Sequence, residues 1–246
     1  KLNLVSNNVP ISFIPDEFGQ YSISVLEGNY NLISSLENPS YFNITPSSVS
    51  VTFPDDPSPF IQNFCITPNG NHPDLEISIL PLTPARPGFD TKCKLFYKNK
   101  GNQLQSGSFS LTFNDNVLDL VSSVPLQNTI SGNMLSWNFT DLSPMESREV
   151  MVVFNANTPT ESPALNANDV ISFTANITSA LVDEIPIDNI FNLNQTVVNS
   201  YDPNDKTCLQ GKTVSSEVIG EYVHYLIRFE NTGSYNAQNI TVTDYI

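Results

Sequence analysis

The chain has 246 residues, with 10 Lys and Arg against 25 Asp and Glu, so it carries a net charge of −15. That balance excludes nucleic acid as a partner, because phosphate-led binding needs a basic face, and no run of about 18 apolar residues is present to span a bilayer as a helix. A hydrophobic share of 39% with 15 Phe and 9 Tyr is enough to fill small cores, which excludes global disorder. Only 14% of residues are charged; Asn, Ser and Thr carry the solvation, a mix suited to strand faces and turns rather than surface helices.

The chain opens Lys1-Leu2-Asn3-Leu4-Val5 and closes Asp244-Tyr245-Ile246 inside an apolar alternation, so both ends read as cut from something longer. Tyr21/Ile23/Val25 alternate, break at Glu27-Gly28 and resume at Tyr30/Leu32, which predicts a hairpin. Val49/Val51/Phe53 predict a strand ended by Pro54 and Pro57, with Asp55-Asp56 as a solvated turn between them. Phe60, Phe64 and Ile66 lead to a turn-rich stretch, Thr67 to Pro73, where a domain boundary is placed.

Leu75/Ile77/Ile79 open a second unit, and Pro81, Pro84 and Pro87 stiffen a crossing before Cys93/Leu95/Tyr97. Further strands are predicted at Phe109/Leu111/Phe113, Val117 to Val121, Leu135/Trp137/Phe139, Val150/Val152/Phe154 and Ile171/Phe173/Ala175/Ile177, with a weaker alternation at Ile190, Leu193 and Val197. Short strands at roughly 8–12-residue intervals indicate a β-sandwich, and Trp137, inside one alternation, is expected to anchor its core. A third unit opens at Tyr201-Asp202-Pro203-Asn204-Asp205-Lys206; Val214 to Ile219, Val223/Tyr225/Ile227/Phe229 and Ile240/Val242 give it three strands, too few to close a sandwich.

One phrase occurs twice, as Leu95-Phe96-Tyr97-Lys98-Asn99-Lys100-Gly101 and as Ile227-Arg228-Phe229-Glu230-Asn231-Thr232-Gly233. An apolar alternation, Asn-x-Gly and a second alternation read as a hairpin in each copy. A repeat spaced by over about 100 residues indicates tandem domains rather than a solenoid. The fold class is therefore all-β: tandem immunoglobulin-like β-sandwich domains at 1–72, 73–200 and 201–246, the first and last incomplete. Gly101 and Gly233 are assigned to turns, and Tyr97 and Phe229 to equivalent core positions.

Ser200 to Lys206, then Tyr225 to Gly233 and Ile240 to Asp244, resemble a domain of secreted and cell-surface proteins of Bacteroidota, in which Asp-Pro-Asn-Asp-Lys precedes a Phe-Glu-Asn-Thr-Gly strand and turn. Such proteins are cargo of the type IX secretion system, so the resemblance implies export across the outer membrane with that machinery as a partner. Residues 73–180 resemble the immunoglobulin-like conserved-repeat domains of bacterial surface proteins through Tyr97 to Gly101 and Leu135 to Phe139. Residues 18–33 are similar to the Gly-x-Tyr hairpin of collagen-binding B-type and carboxypeptidase-regulatory stalk domains. Some B-type relatives carry a Lys–Asn isopeptide bond, but Lys1 is the only lysine before Lys92.

Little in the sequence points to chemistry. His72 lies in the Pro-flanked linker, and His224 is out of phase with Val223/Tyr225/Ile227 and is expected to face solvent. Neither builds a His-rich metal site or a triad, and no nucleophile elbow, phosphate loop or zinc-protease helix occurs. No cofactor is expected. Cys65, Cys93 and Cys208 form no disulfide framework or CxxC site and read as buried small residues or free thiols.

Asp202, Asn204 and Asp205 are hard oxygen donors and a weak calcium candidate, but an Asx-type turn accounts for them and no metal site is assigned. Sequons at Asn43, Asn138, Asn176, Asn194 and Asn239 are no more frequent than composition alone gives. The expected function is a non-catalytic extracellular stalk or adhesin-like segment joined to neighbouring domains of its own longer chain. Accessory β-domains of a secreted enzyme, with the catalytic domain outside these residues, are the alternative.

Overall fold

The computed structural model describes all residues except 7, 8, 17, 200–204, 212, 214–221, 232, 239 and 243–246. The strands are β1 Leu2–Ser6, β2 Val9–Phe13, β3 Gly28–Ser34, β4 Phe42–Thr45, β5 Ser48–Phe53, β6 Cys65–Pro68, β7 Leu75–Pro81, β8 Asp90–Asn99 and β9 Gln105–Thr112. They continue with β10 Leu118–Val124, β11 Thr129–Ser131, β12 Met134–Leu142, β13 Ser147–Ala156, β14 Val170–Ser179, β15 Ile190–Thr196, β16 Asp205–Cys208 and β17 Tyr225–Arg228. One 3-10 turn, Pro39–Tyr41, is the sole helical element among the described residues, so none of them forms a helix long and apolar enough to cross a membrane. The architecture is all-β with tandem immunoglobulin-like sandwiches.

The largest body faces a sheet ordered β10-β13-β8-β7 against one ordered β11-β12-β9-β14-β15. Its strands bury alternate residues, as period-two patterning requires. Across the first sheet Ile79, Leu95 and Val150 lie in register and are all buried; across the second, Trp137, Phe109 and Ile177 do the same. Trp137 stacks on Phe109 with centroids 5.2 Å apart, and its Nε1 donates to the Pro125 carbonyl at 3.1 Å. Each such large apolar side chain contributes about 1.5–3 kcal/mol by leaving water.

The first copy of the repeated phrase is not a hairpin. β8 pairs with β7 and β13, whereas β9 pairs with β12 and β14, so residues 100–104 carry the chain from one sheet to the other. The alternations of β8 and β9 each bury one face, and the two faces meet across the core from opposite sheets, with Tyr97 of β8 against Phe109 of β9 at 4.5 Å between ring centroids. The two copies nevertheless share their local chemistry. The Gly101 amide donates to Asn99 Oδ1 and the Gly233 amide to Asn231 Oδ1, while the Asn Nδ2 donates to the carbonyl four residues on, that of Gln103 or of Tyr235.

Residues 2–64 supply a smaller cluster in which Leu2, Leu4 and Leu32 are buried under Phe13, Tyr21, Ile23, Val25, Tyr30 and Phe64. Here a sheet ordered β2-β1-β3-β5 accompanies the two-stranded pair β4-β6. The hairpin predicted at Tyr21–Val25 is replaced by irregular chain: these residues find no strand to pair with and serve as a cover for the cluster.

In the last segment β16 and β17 form a two-stranded antiparallel pair. Phe229 is 53% exposed, correcting its assignment to a core position equivalent to Tyr97, which is 6% exposed. Tyr97 is covered by the opposing sheet, and among the described residues nothing plays that part over Phe229. The strand read at Val214 to Ile219 lies outside the described residues, and Ile240 to Val242 are not in a strand. His224 is exposed, as its phase indicated.

Candidate functional site

The densest polar chemistry lies where the linker 69–74 enters the large sandwich. The backbone fixes the linker first: Lys100 and Gly101 amides both donate to the Asp74 carbonyl, at 2.8 and 3.0 Å, and the Asn102 amide donates to the His72 carbonyl at 2.9 Å. Loop 180–189, between β14 and β15, holds it from the other side. The Leu75 amide donates to Asp183 Oδ2 at 2.8 Å, the Glu184 amide to the Pro73 carbonyl at 2.9 Å, and the Ile77 amide to the Asp188 carbonyl at 3.1 Å.

Side chains then couple this frame to residues 37–41 of the first unit. Asn102 is 4% exposed; its Nδ2 donates to the carbonyls of Tyr41 at 2.7 Å and Gly70 at 3.2 Å, and its Oδ1 accepts from the His72 amide at 2.8 Å. Asn38 Nδ2 donates to Asp74 Oδ2 at 3.1 Å and to the Lys100 carbonyl at 3.3 Å. Tyr41 stacks on the His72 ring at 4.4 Å, His72 Nδ1 pairs with Glu184 at 3.0 Å, and Glu37 pairs with Lys98.

At the centre sits a group of carboxylates, with one oxygen each of Asp74, Asp183 and Asp188 within 4.8 Å of the others. Asp74 is fully buried. Burial pushes its carboxyl up to about 6, with the neighbouring Asp188 adding to the shift and Lys100 opposing it. Lys100 Nζ bonds Asp188 Oδ2 at 2.8 Å and lies 3.7 Å from Glu76 and 3.9 Å from Glu37. Partial burial works against its charge, but the hydrogen bond to Asp188 and the charges of Asp188, Glu76 and Asp74 prevail and hold the ammonium above its ordinary value. Burial raises the Tyr41 phenol as well, reinforced by Asp74, Glu184 and Asp183.

The Tyr41 hydroxyl interacts with the Asp74 carboxyl, but Asp74 Oδ1 and Asp188 Oδ1 are buried and no described group donates to either with hydrogen-bond geometry. A buried acceptor without a donor costs about 1–3 kcal/mol, more when it is charged. None of Asp74, Asp183 and Asp188 stood out in the sequence, where three oxygen donors at short spacing formed the weak calcium candidate instead. Those are Asp202 and Asn204, which lie outside the described residues, and Asp205, which opens β16. The signal that could have found the centre is the pairing of Pro73-Asp74, at the entrance to one unit, with Asp183 and Asp188 in the loop before its last strand.

Elsewhere, a cleft of about 800 Å³ in the first unit is lined by Tyr21, Ile23, Tyr30, Val51, Phe53 and Phe60 among others. Cys65 is exposed, Cys93 buried and Cys208 half-buried, all three as free thiols; burial pushes the Cys93 thiol up to about 12. Neither histidine lies within hydrogen-bond reach of a serine or cysteine nucleophile among the described residues: His72 engages Glu184, and His224 engages Gln210.

A family model described as a domain of unknown function, DUF7619, matches residues 202–246. No curated protein matches the chain significantly. Among solved structures the chain is similar to a CARDB domain from Pyrococcus furiosus in complex with di-metal ions, at 15% identity over 52% of this chain and 90% of that one, with a TM-score of 0.37. It is also similar to a cohesin module of a family 33 glycoside hydrolase from Clostridium perfringens, at 9% identity over 53% of this chain and 99% of that one, with a TM-score of 0.36. Domains 4 and 5 of the S-layer protein SbsC are similar at 12% identity over 79% of this chain and 98% of that one, with a TM-score of 0.28.

Proposed function

We propose that the chain is a non-catalytic extracellular stalk or adhesin-like segment of a large exported surface protein, carried out of the cell by the type IX secretion route. The observation that carries the structural half of this reading is the Asn102 side chain. A fully engaged amide bonding Tyr41, Gly70 and His72 makes the end of one sandwich part of the next, which is how a stalk resists bending. The export half is supported by the Asp202 to Lys206 and Phe229 to Gly233 sequence phrases, which resemble those of secreted cargo.

Protease shaving of intact cells of the source organism, followed by detection with an antibody to the large sandwich, tests location directly. Cleavage or release from the surface is expected, with retention inside the cell when the outer-membrane export channel of that route is deleted. A protein that stays protected in intact cells and fractionates with the cytoplasm would end the reading.

A further inference from the structure

The acidic centre of the junction carries an inference that does not depend on the route of export. Asp74, Asp183 and Asp188 come from two segments over 100 residues apart in sequence, yet one carboxylate oxygen of each lies within 4.8 Å of the others. Asp74 is wholly buried, and although the Tyr41 hydroxyl interacts with its carboxyl, Asp74 Oδ1 has no partner in hydrogen-bond geometry; the buried Asp188 Oδ1 has none either. We propose that this centre binds a hard divalent cation, calcium before magnesium, which ties linker 69–74 to loop 180–189 and stiffens the junction between the first and second units.

Lys100 is the obvious rival for the role of counter-charge, and its geometry shows what it leaves undone. Its ammonium is within 4.0 Å of Asp188, Glu76 and Glu37 and, among the described residues, of neither Asp74 nor Asp183. It therefore serves one oxygen of Asp188 and the outer carboxylates. Asp183 accepts the Ile185 and Leu75 amides on its two oxygens, at 2.9 and 2.8 Å, and Asp74 Oδ2 accepts from Asn38, which leaves Asp74 Oδ1 and Asp188 Oδ1 as the buried carboxylate oxygens of the centre without a donor. A divalent ion neutralises that remainder. The protein supplies only oxygen donors, which favours calcium or magnesium over softer metals. Calcium accepts an irregular shell of about 6–8 oxygens, whereas magnesium demands a near-ideal octahedron that three independently anchored carboxylates do not offer. Asp183 and Asp188 are half-buried, which leaves an entry path on the loop side.

The test is calorimetric titration of calcium chloride into the 246-residue protein after EDTA treatment and exchange into chelator-free buffer. One site is expected, with Kd between about 10⁻⁵ and 10⁻³ M, and magnesium binding at least about tenfold weaker. Asp188→Asn is close to isosteric and should weaken calcium at least about tenfold. Trp137 fluorescence checks that the sandwich is intact, and Asp183→Asn provides the same test should the first variant misfold. Asp202→Ala should leave binding unchanged. Absence of binding up to about 10 mM calcium, affinity that survives both Asp188→Asn and Asp183→Asn, or loss on Asp202→Ala would overturn the proposal; equal affinity for magnesium would overturn the choice of calcium.

Discussion

Replacing Gly101 with alanine is expected to destabilise the large sandwich by about 3–5 kcal/mol, in the exceptional range for a single methyl group. An added Cβ would lie 2.2 Å from the His72 carbonyl oxygen and 2.6 Å from the Asp74 amide nitrogen. Both neighbours are backbone, so no rotamer change relieves the clash, and the linker itself must move. Moving it breaks the bonds from the Lys100, Gly101 and Asn102 amides to the linker carbonyls and disturbs Asp74. At about 0.5–1.5 kcal/mol for each hydrogen bond, plus the exposure of a buried carboxylate, the loss reaches the stated figure. Urea unfolding followed by Trp137 fluorescence measures it. A cost below about 1 kcal/mol would mean that the linker is not pinned against residues 99–102.

Trp137→Ala is expected to cost a similar amount, about 3–5 kcal/mol, for a different reason. The side chain is 2% exposed, stacks on Phe109 and uses its indole N–H on the Pro125 carbonyl, so truncation leaves a cavity and removes one of the two hydrogen bonds to that carbonyl, which still accepts from Ser123 Oγ at 3.0 Å. Trp137→Phe keeps most of the packing and loses the hydrogen bond, and its cost should be clearly smaller. Equal losses from the two variants in thermal or denaturant unfolding would show that the hydrogen bond, and not the packing, dominates at this position.

The strands of the large sandwich were legible because their alternations are long and one face of each is fully buried; β8, β9, β12, β13 and β14 all carry that mark. β11 escaped notice because its three exposed residues are too few to alternate, and β2 because its alternation of Val9, Ile11 and Phe13 is short, mostly exposed and interrupted by Pro10. Tyr21, Ile23 and Val25 show the converse: the pattern of a strand is present, but a strand also needs a partner, which local sequence does not specify. Gly101 was legible as a turn glycine, yet its purpose was not, since the need for a bare Cα arises from a linker that approaches from outside the turn. Gly107, in the interior of β9, is the same case: a Cβ there would meet the Thr178 carbonyl oxygen at 2.0 Å, a constraint set by β14 and invisible locally. The acidic centre depends on a contact between positions 74 and 183–188, and carboxylates that distant in sequence acquire meaning only when the sheets are assembled.

The coupling of the first two units is tested most directly by a distance measurement across their junction. Spin labels on Ser50→Cys in β5 and Ser122→Cys in β10, both exposed positions, report it once Cys65 and Cys208 are replaced by serine. Pulsed electron–electron double resonance is expected to give one narrow distance distribution, and Asn102→Ala, which removes the bonds to Tyr41 and Gly70, is expected to broaden it. A broad or multimodal distribution in the protein with Asn102 intact would contradict a coupled junction and, with it, the stalk.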